Sequence, residues 1–230
     1  MTDLTWCPTL EALYREGGAV DSEGVRRQPG GLSTPNNLLI IRSLMMALKP
    51  KRTLEVGLAA GGSALTFAAS HRDLGHLPSS QHTAIDPYQR VWHHLGKTLI
   101  ERESLTQFTR VIEEPSCLAL PDLMRSGERF QIAYIDGSHV FHEAMLDFYY
   151  TRHLLDIGGI VLFDDCATAE IRRLIHHISR HIRSVKPFDL SPFHPQKAKR
   201  RIAALIGKAQ CVAFQKIADP QKDESWVWED

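Results

Sequence analysis

Nothing in this chain is long and apolar enough to read as a membrane span; even the run Ile160-Val161-Leu162-Phe163 has only the length of a strand. An excess of one charge is missing too. The 27 Lys and Arg balance 27 Asp and Glu, so no overall field draws the chain to nucleic acid or to an anionic membrane. Cysteine is sparse: Cys7, Cys117, Cys166 and Cys211 lie far apart with no Cys-x-x-Cys pair. That spacing argues against a disulfide framework or a zinc ribbon and reads as reduced thiols. The opening Met-Thr-Asp-Leu-Thr-Trp lacks the basic-then-apolar pattern of a signal peptide, so the expected location is cytoplasmic. Repeats and low-complexity segments are absent as well. What is left is an ordinary globular composition, and 230 residues fit one domain with short additions.

What is present is alternation. Residues 1–32 are polar and carry Gly17-Gly18 and Gly30-Gly31, with one helix expected around Leu10 to Tyr14; they read as an arm or lid rather than core. Thr34-Pro35 supplies an N-cap and a proline at the first helical position, and Leu38, Ile41, Met45 and Leu48 continue at helical spacing as far as Pro50. Strands are then expected at Thr53–Val56, Thr83–Ile85, Phe108–Ile112, Gln131–Ile135 and Gly159–Phe163. Between them lie helices at about 63–70, through Val91, Trp92, Leu95 and Leu99, at about 116–124, and through Phe141, Met145, Phe148 and Leu155. A helix through Ile171, Leu174, Ile175, Ile178 and Ile182 follows the fifth strand, and further strands near Ile182–Val185 and Cys211–Phe214 make about seven. Strand–helix alternation implies right-handed crossovers, hence an α/β fold with a doubly wound, mostly parallel sheet.

In such sheets ligands bind beyond the carboxyl ends of the strands. Those ends carry Glu55 to Ser63, then Asp86, then Glu114-Pro115-Ser116, then Asp136 to His139, then Asp164-Asp165. The first turn, Leu54-Glu55-Val56-Gly57-Leu58-Ala59-Ala60-Gly61-Gly62-Ser63, opens a helix whose free N–H groups favour an anion. Its G-x-x-x-G-G spacing departs from the G-x-G-x-x-G of dinucleotide folds, which disfavours a nicotinamide oxidoreductase. Asp86, one strand later, is an acid suited to a ribose's two hydroxyls. Alone, an Asp-Pro pair is a turn initiator; its register with the glycine turn favours the ligand role.

With these pieces placed, residues 33–216 resemble the class I S-adenosylmethionine-dependent methyltransferases. Glu55, Gly57, Gly61, Gly62 and Ser63 fall on the motif that wraps the cofactor's methionine end, and Asp86 on the acid that holds its ribose. Ser116 falls where the adenine pocket is lined, although Pro115 stands where many members have an acid or glycine. Tyr134-Ile135-Asp136-Gly137-Ser138-His139, followed by Gly158-Gly159 and Asp164-Asp165, resembles the branch containing small-molecule O-methyltransferases. The resemblance implies a Rossmann-like seven-stranded sheet with a reversed last strand, and transfer of a methyl group to a hydroxyl.

In the family's strand order Asp136 and Asp164-Asp165 cap adjacent strands, and their crowded carboxylates either shift pKa or share a divalent cation. Asp136, Asp164 and Asp165 form the expected metal set, an all-oxygen site suited to Mg²⁺, Mn²⁺ or Ca²⁺. The competing reading makes Asp164 a helix cap and Asp165 a backbone acceptor. His139, with its near-neutral pKa, is the candidate base or a further ligand, beside Asp136. His93-His94, His176-His177, His142 and His153 read as surface or half-buried helical residues. Arg172-Arg173, His176, Arg180, Arg183 and residues 197–201 form a basic stretch, either a solvated face or an attractor of an anionic substrate. The Trp226-Val-Trp228 tail, within 217–230, is a candidate for docking on the domain or on a partner subunit of a homodimer. The expected partner is a small-molecule acceptor. An RNA or protein acceptor is disfavoured by the charge balance, and a domain that binds the cofactor without turnover stays open.

Overall fold

A computed structural model describes residues 3–75, 81–194 and 209–220. The basic residues 197–201 and the tryptophan tail lie outside the described residues. The main sheet starts at β3 (Arg52–Val56) and continues with β4 (Gln81–Ile85), β5 (Thr109–Ile112), β6 (Phe130–Ile135), β7 (Leu155–Phe163), β8 (Val185–Phe188) and β9 (Val212–Lys216). A small antiparallel pair, β1 (Ala19–Val20) and β2 (Arg26–Arg27), stands apart from it. Its seven strands run in the order β5-β4-β3-β6-β7-β9-β8. β3 to β7 are mutually parallel, whereas β9 runs antiparallel to both β7 and β8, which is the reversed strand expected. Strand order reverses beside β3, so the carboxyl ends of β3, β4 and β6 frame the crevice.

The strands β3, β4 and β6 and the second half of β7 are buried on both faces and sort their residues by alternation. Leu54, Val56, Ala133, Ile135, Val161 and Phe163 pack against α5 (Ser116–Arg125), α6 (Phe141–Leu154) and α7 (Ala169–His181). Ile132, Tyr134, Ile160 and Leu162 face α2 (Pro35–Leu48) and α3 (Gly62–Asp73), along with α4 (Leu95–Arg102). Thr34 caps α2 as expected, its hydroxyl accepting the Asn37 N–H. Among the described residues no helix is long and apolar enough to cross a membrane.

Three expectations change. Leu4, Cys7, Leu10 and Leu13, in the segment read as lying outside the core, are at most 2% exposed and join the α2–α3 core through α1 (Pro8–Glu16). Leu10 and Leu13 carry a three-residue apolar spacing that the polar surroundings obscured. Second, Val91, Trp92 and His93-His94 are not helical. Residues 87–94 form turns, with His93 and His94 at φ +51° and +52°, because Asp86 accepts the Tyr88 N–H and the Gln89 side chain and bends the chain. Third, α6 stops at Leu154; Leu155 already pairs with Phe130 as the first residue of β7.

Candidate active site

The turn after β3 is built on close backbone approach. Gly57 has φ +96°, and a Cβ there would lie 2.2 Å from the carbonyl oxygen of Asp136, so β3 and β6 can converge only at a glycine. Asp86 holds the next residues: its Oδ2 accepts the Leu58 and Ala59 N–H groups at 3.1 and 2.6 Å and the Gln89 amide at 3.1 Å. Its Oδ1 accepts only Tyr88 N–H among these groups, at 2.7 Å. Asp86 therefore organises the glycine turn and keeps acceptor capacity on one oxygen.

The first turn of α3 is covered. Gly62 and Ser63 are buried, and the Tyr14 hydroxyl and Leu32 lie against Gly62. Glu55 is fully buried beneath the turn. Its Oε1 stands 3.3 Å from His82 Nε2, and its Oε2 has no hydrogen-bond partner among the described residues. His82 Nδ1 in turn meets Thr53 Oγ1 at 2.9 Å, Thr53 Oγ1 meets His71 Nε2 at 3.0 Å, and Phe67 stacks on His82 at 4.6 Å. Thr53 has one proton, so it donates to one imidazole and accepts from the other. This sealed polar line was not foreseen; two histidines within strand and helix patterns gave no sign that they meet.

At the ends of β6 and β7, paired at Ile135 and Phe163, the acids converge as expected. Their partners separate them. Asp164 is 4% exposed and already engaged: Tyr134 donates its hydroxyl to Oδ2, while Asn37 Nδ2 and the Asp165 N–H each donate to Oδ1 at 2.7 Å. It is neither a cap of α7 nor open to solvent. Asp165 takes the left-handed conformation, φ +50°, and receives the Gln210 amide on Oδ1 and His139 Nε2 at 2.9 Å on Oδ2. Asp136 Oδ2 accepts the Ser33 hydroxyl at 2.9 Å, and its Oδ1 lies 4.0 Å from His139 Nε2. Ligand atoms of Asp136, His139 and Asp165 all fall within 4.8 Å of one another. The cluster brought together thus differs from the expected metal set by His139 in place of Asp164.

Electrostatics follow from burial. Desolvation, with the Asp164 and Asp165 charges adding to it, pushes the Asp136 carboxyl well above its usual range; burial likewise raises Asp164. His139 is raised by the carboxylates of Asp136 and then Asp165. Tyr14, whose hydroxyl donates to the Ser33 carbonyl at 2.5 Å, is raised mainly by burial.

A cleft of about 480 Å³ is lined by Gly57, Asp86, Trp92, Ser116, Asp136 and Asp147, among others. A second hollow of about 370 Å³ shares Ala59, Trp92, Asp136 and Gly137 with it and reaches Ser33, His139, Asp164, Asp165 and Gln210. Gly57, Asp86, Ser116 and Asp136 are the expected cofactor residues found on the cleft. Glu55, Gly61, Gly62 and Ser63 line neither hollow. Ser33, Asn37, Tyr134, Gln210 and Asp147 escaped the sequence reading. Only the polar Asn37 on the apolar face of α2 offered a signal.

Residues 54–166 match the family model described as a methyltransferase domain. The caffeoyl-CoA O-methyltransferase of Stellaria longipes is 26% identical over 133 residues, covering 55% of this chain and 50% of that protein. O-methyltransferase hkm8 of Aspergillus hancockii is 27% identical over 132 residues, covering 57% and 49%. The chain spans about half the length of these curated relatives. A solved O-methyltransferase from Bacillus cereus, in complex with SAH, superposes with a TM-score of 0.60 at 17% identity, over 78% of this chain and 82% of that one. The chain is thus similar to methyltransferases over residues 54–166 and shares the fold of that solved structure.

Proposed function

We propose that the protein transfers a methyl group from S-adenosylmethionine to a hydroxyl of a small molecule. One observation carries this reading: Asp136, which lines both the cleft and the second hollow, converges with His139 and Asp165 of that hollow. The likeness to proteins named O-methyltransferases supports it. The cofactor fits the residues present. The cleft has the size of a small-molecule site, Asp86 keeps acceptor capacity on Oδ1 for a ribose hydroxyl, and Gly57 lets a ligand approach the backbone. Glu55 and the Gly61–Ser63 turn support the site from beneath in this reading.

Bound, S-adenosylmethionine supplies a methyl group already activated by a positive sulfur. The protein's share is positioning and removal of the acceptor's proton. His139 is the group that takes it: Nε2 is engaged by Asp165 at 2.9 Å, which leaves Nδ1 as the basic nitrogen, and the Asp165 and Asp136 carboxylates stabilise the imidazolium. Asp164 contributes by position, pinned by Tyr134 and Asn37. Asp136, His139 and Asp165 also make a donor set that fits a divalent ion, whose chemistry there is to acidify the acceptor hydroxyl. Its nitrogen donor shifts the preference from Mg²⁺ or Ca²⁺ towards Mn²⁺ and other transition ions. The four free thiols support a reducing, cytoplasmic location.

The test is methyl consumption with a panel of catechols, phenols and sugars, before and after chelation and with Mn²⁺ or Mg²⁺ restored. Turnover only with the metal supports the ion. Unchanged turnover in chelator assigns the work to His139 alone, and absence of S-adenosylmethionine binding at millimolar concentration overturns the whole reading.

A further inference from the structure

The cleft end opposite His139 holds an acid that the chemistry above does not use. Asp147, on α6, is 2% exposed yet lines the cleft, next to Ile85, Leu146 and Ser116. Its carboxylate hydrogen-bonds the Ser116 side chain. A carboxylate buried with a single neutral hydroxyl is under-provided with donors, since it can accept about four hydrogen bonds. Burial accordingly pushes its carboxyl up to about 6. Glu143, one turn before Asp147, also lines the cleft, but it is exposed and hydrated, so it gains less from a ligand's donor than the buried Asp147. Asp86 has three donors on Oδ2, and the capacity left on Oδ1 is the one assigned above to a ribose hydroxyl. Glu113 is engaged on the surface by Lys97 at 2.5 Å, and Glu114 is exposed and off the cleft. Pro115, directly before Ser116, has neither a side-chain acceptor nor an N–H.

We propose that Asp147 is the specificity determinant for the cofactor's base, accepting the exocyclic amine of adenine at the α5–α6 end of the cleft. The inference rests on the cofactor reading above. A 6-aminopurine offers two N–H donors on one edge, whereas Ser116 offers one hydroxyl, so the amine is the group that completes this carboxylate. The apolar walls, Ile85 and Leu146, suit the faces of a purine ring. A purely structural role has its own prediction. Asp147 sits by the first turn of α5, whose N-cap, Pro115, makes no side-chain cap, and a carboxylate there steadies the helix whatever ligand is bound.

Calorimetric titration of the intact protein separates these roles. The two ligands are S-adenosylhomocysteine and its analogue with hydrogen in place of the purine 6-amino group. The wild type is expected to prefer the amine-bearing ligand by about 10- to 100-fold, the size of a hydrogen bond to a charged group. Asp147→Ala is expected to bind both alike, with the analogue's affinity unchanged. Asp147→Asn, which keeps the shape and a bond to Ser116, guards against loss of the fold and is expected to show a reduced preference. A preference that survives in both variants overturns the proposal, as does equal weakening of both ligands. A wild type that binds neither ligand overturns the cofactor reading, and this inference with it.

Discussion

Two histidine–carboxylate pairs sit on this sheet, and they differ in what surrounds them. His82 and Glu55 approach to 3.3 Å with both side chains fully buried; His139 and Asp165 approach to 2.9 Å with side chains 47% and 32% exposed. The first pair continues into Thr53 and His71 and lines neither the cleft nor the second hollow. The second is held from behind by Gln210 and faces the hollow that meets the cleft. Chemistry needs a group that can reach a substrate and exchange a proton; a sealed pair can only brace the strands it joins. The same residue types therefore divide into support and candidate machinery according to access.

The comparison breaks most sharply at His139. His139→Ala is expected to lower turnover by about 10²- to 10⁴-fold, while the unfolding midpoint moves by less than about 2 °C; a large loss of stability would erase the distinction. His82→Ala should do the reverse. It leaves the Glu55 carboxylate buried without its cation-capable neighbour, at a cost of about 3–5 kcal/mol in urea unfolding, and turnover per folded molecule should persist.

Asp147 lies between the two cases, buried but on the cleft. Its folded pKa, raised from 3.8 to about 6 by burial, with Glu143 one turn away as a like-charged neighbour, favours the neutral form. The stability this contributes is fully present below about 4 and is lost as the pH rises through about 6. Ligand-free Asp147→Asn should therefore exceed the wild type by roughly 2–3 kcal/mol at neutral pH and match it near pH 4, since about 1.4 kcal/mol accompanies each pKa unit. Urea titrations at several pH values check the sign. A flat difference would show that no buried charge is relieved. The smallest effect is expected at Ser33, which donates to Asp136 from outside the sheet: Ser33→Ala should lower turnover by no more than about tenfold, read in the same assay.

The strand–helix order was legible because apolar periodicity is local, and the reversal of β9 followed from the resemblance. Asp86, Asp136, Asp164 and Asp165 were legible because strand ends are where a parallel sheet collects its chemistry. What escaped is tertiary. Nothing in residues 33–37 says that Ser33 and Asn37 will reach Asp136 and Asp164. The division of labour between Asp164 and its neighbour Asp165 depends on a left-handed backbone and on Tyr134, one strand away. Asp147 was hidden as a polar position in an amphipathic helix. His93-His94 was read as helical because spacing cannot register the pull of the Asp86 carboxylate on the turns before it.

Gln210 ties these events to the order of assembly. β9 enters between β7 and β8, and the residue two places before it donates to Asp165. Until that strand inserts, β7 presents an unpaired edge of the kind that recruits other chains, and the site lacks one of its braces. Closing the sheet and finishing the cluster are thus a single step in the life of the molecule. A chain arrested before that step would be both sticky and incomplete at its site, so appearance of activity during refolding would time the closure of the sheet.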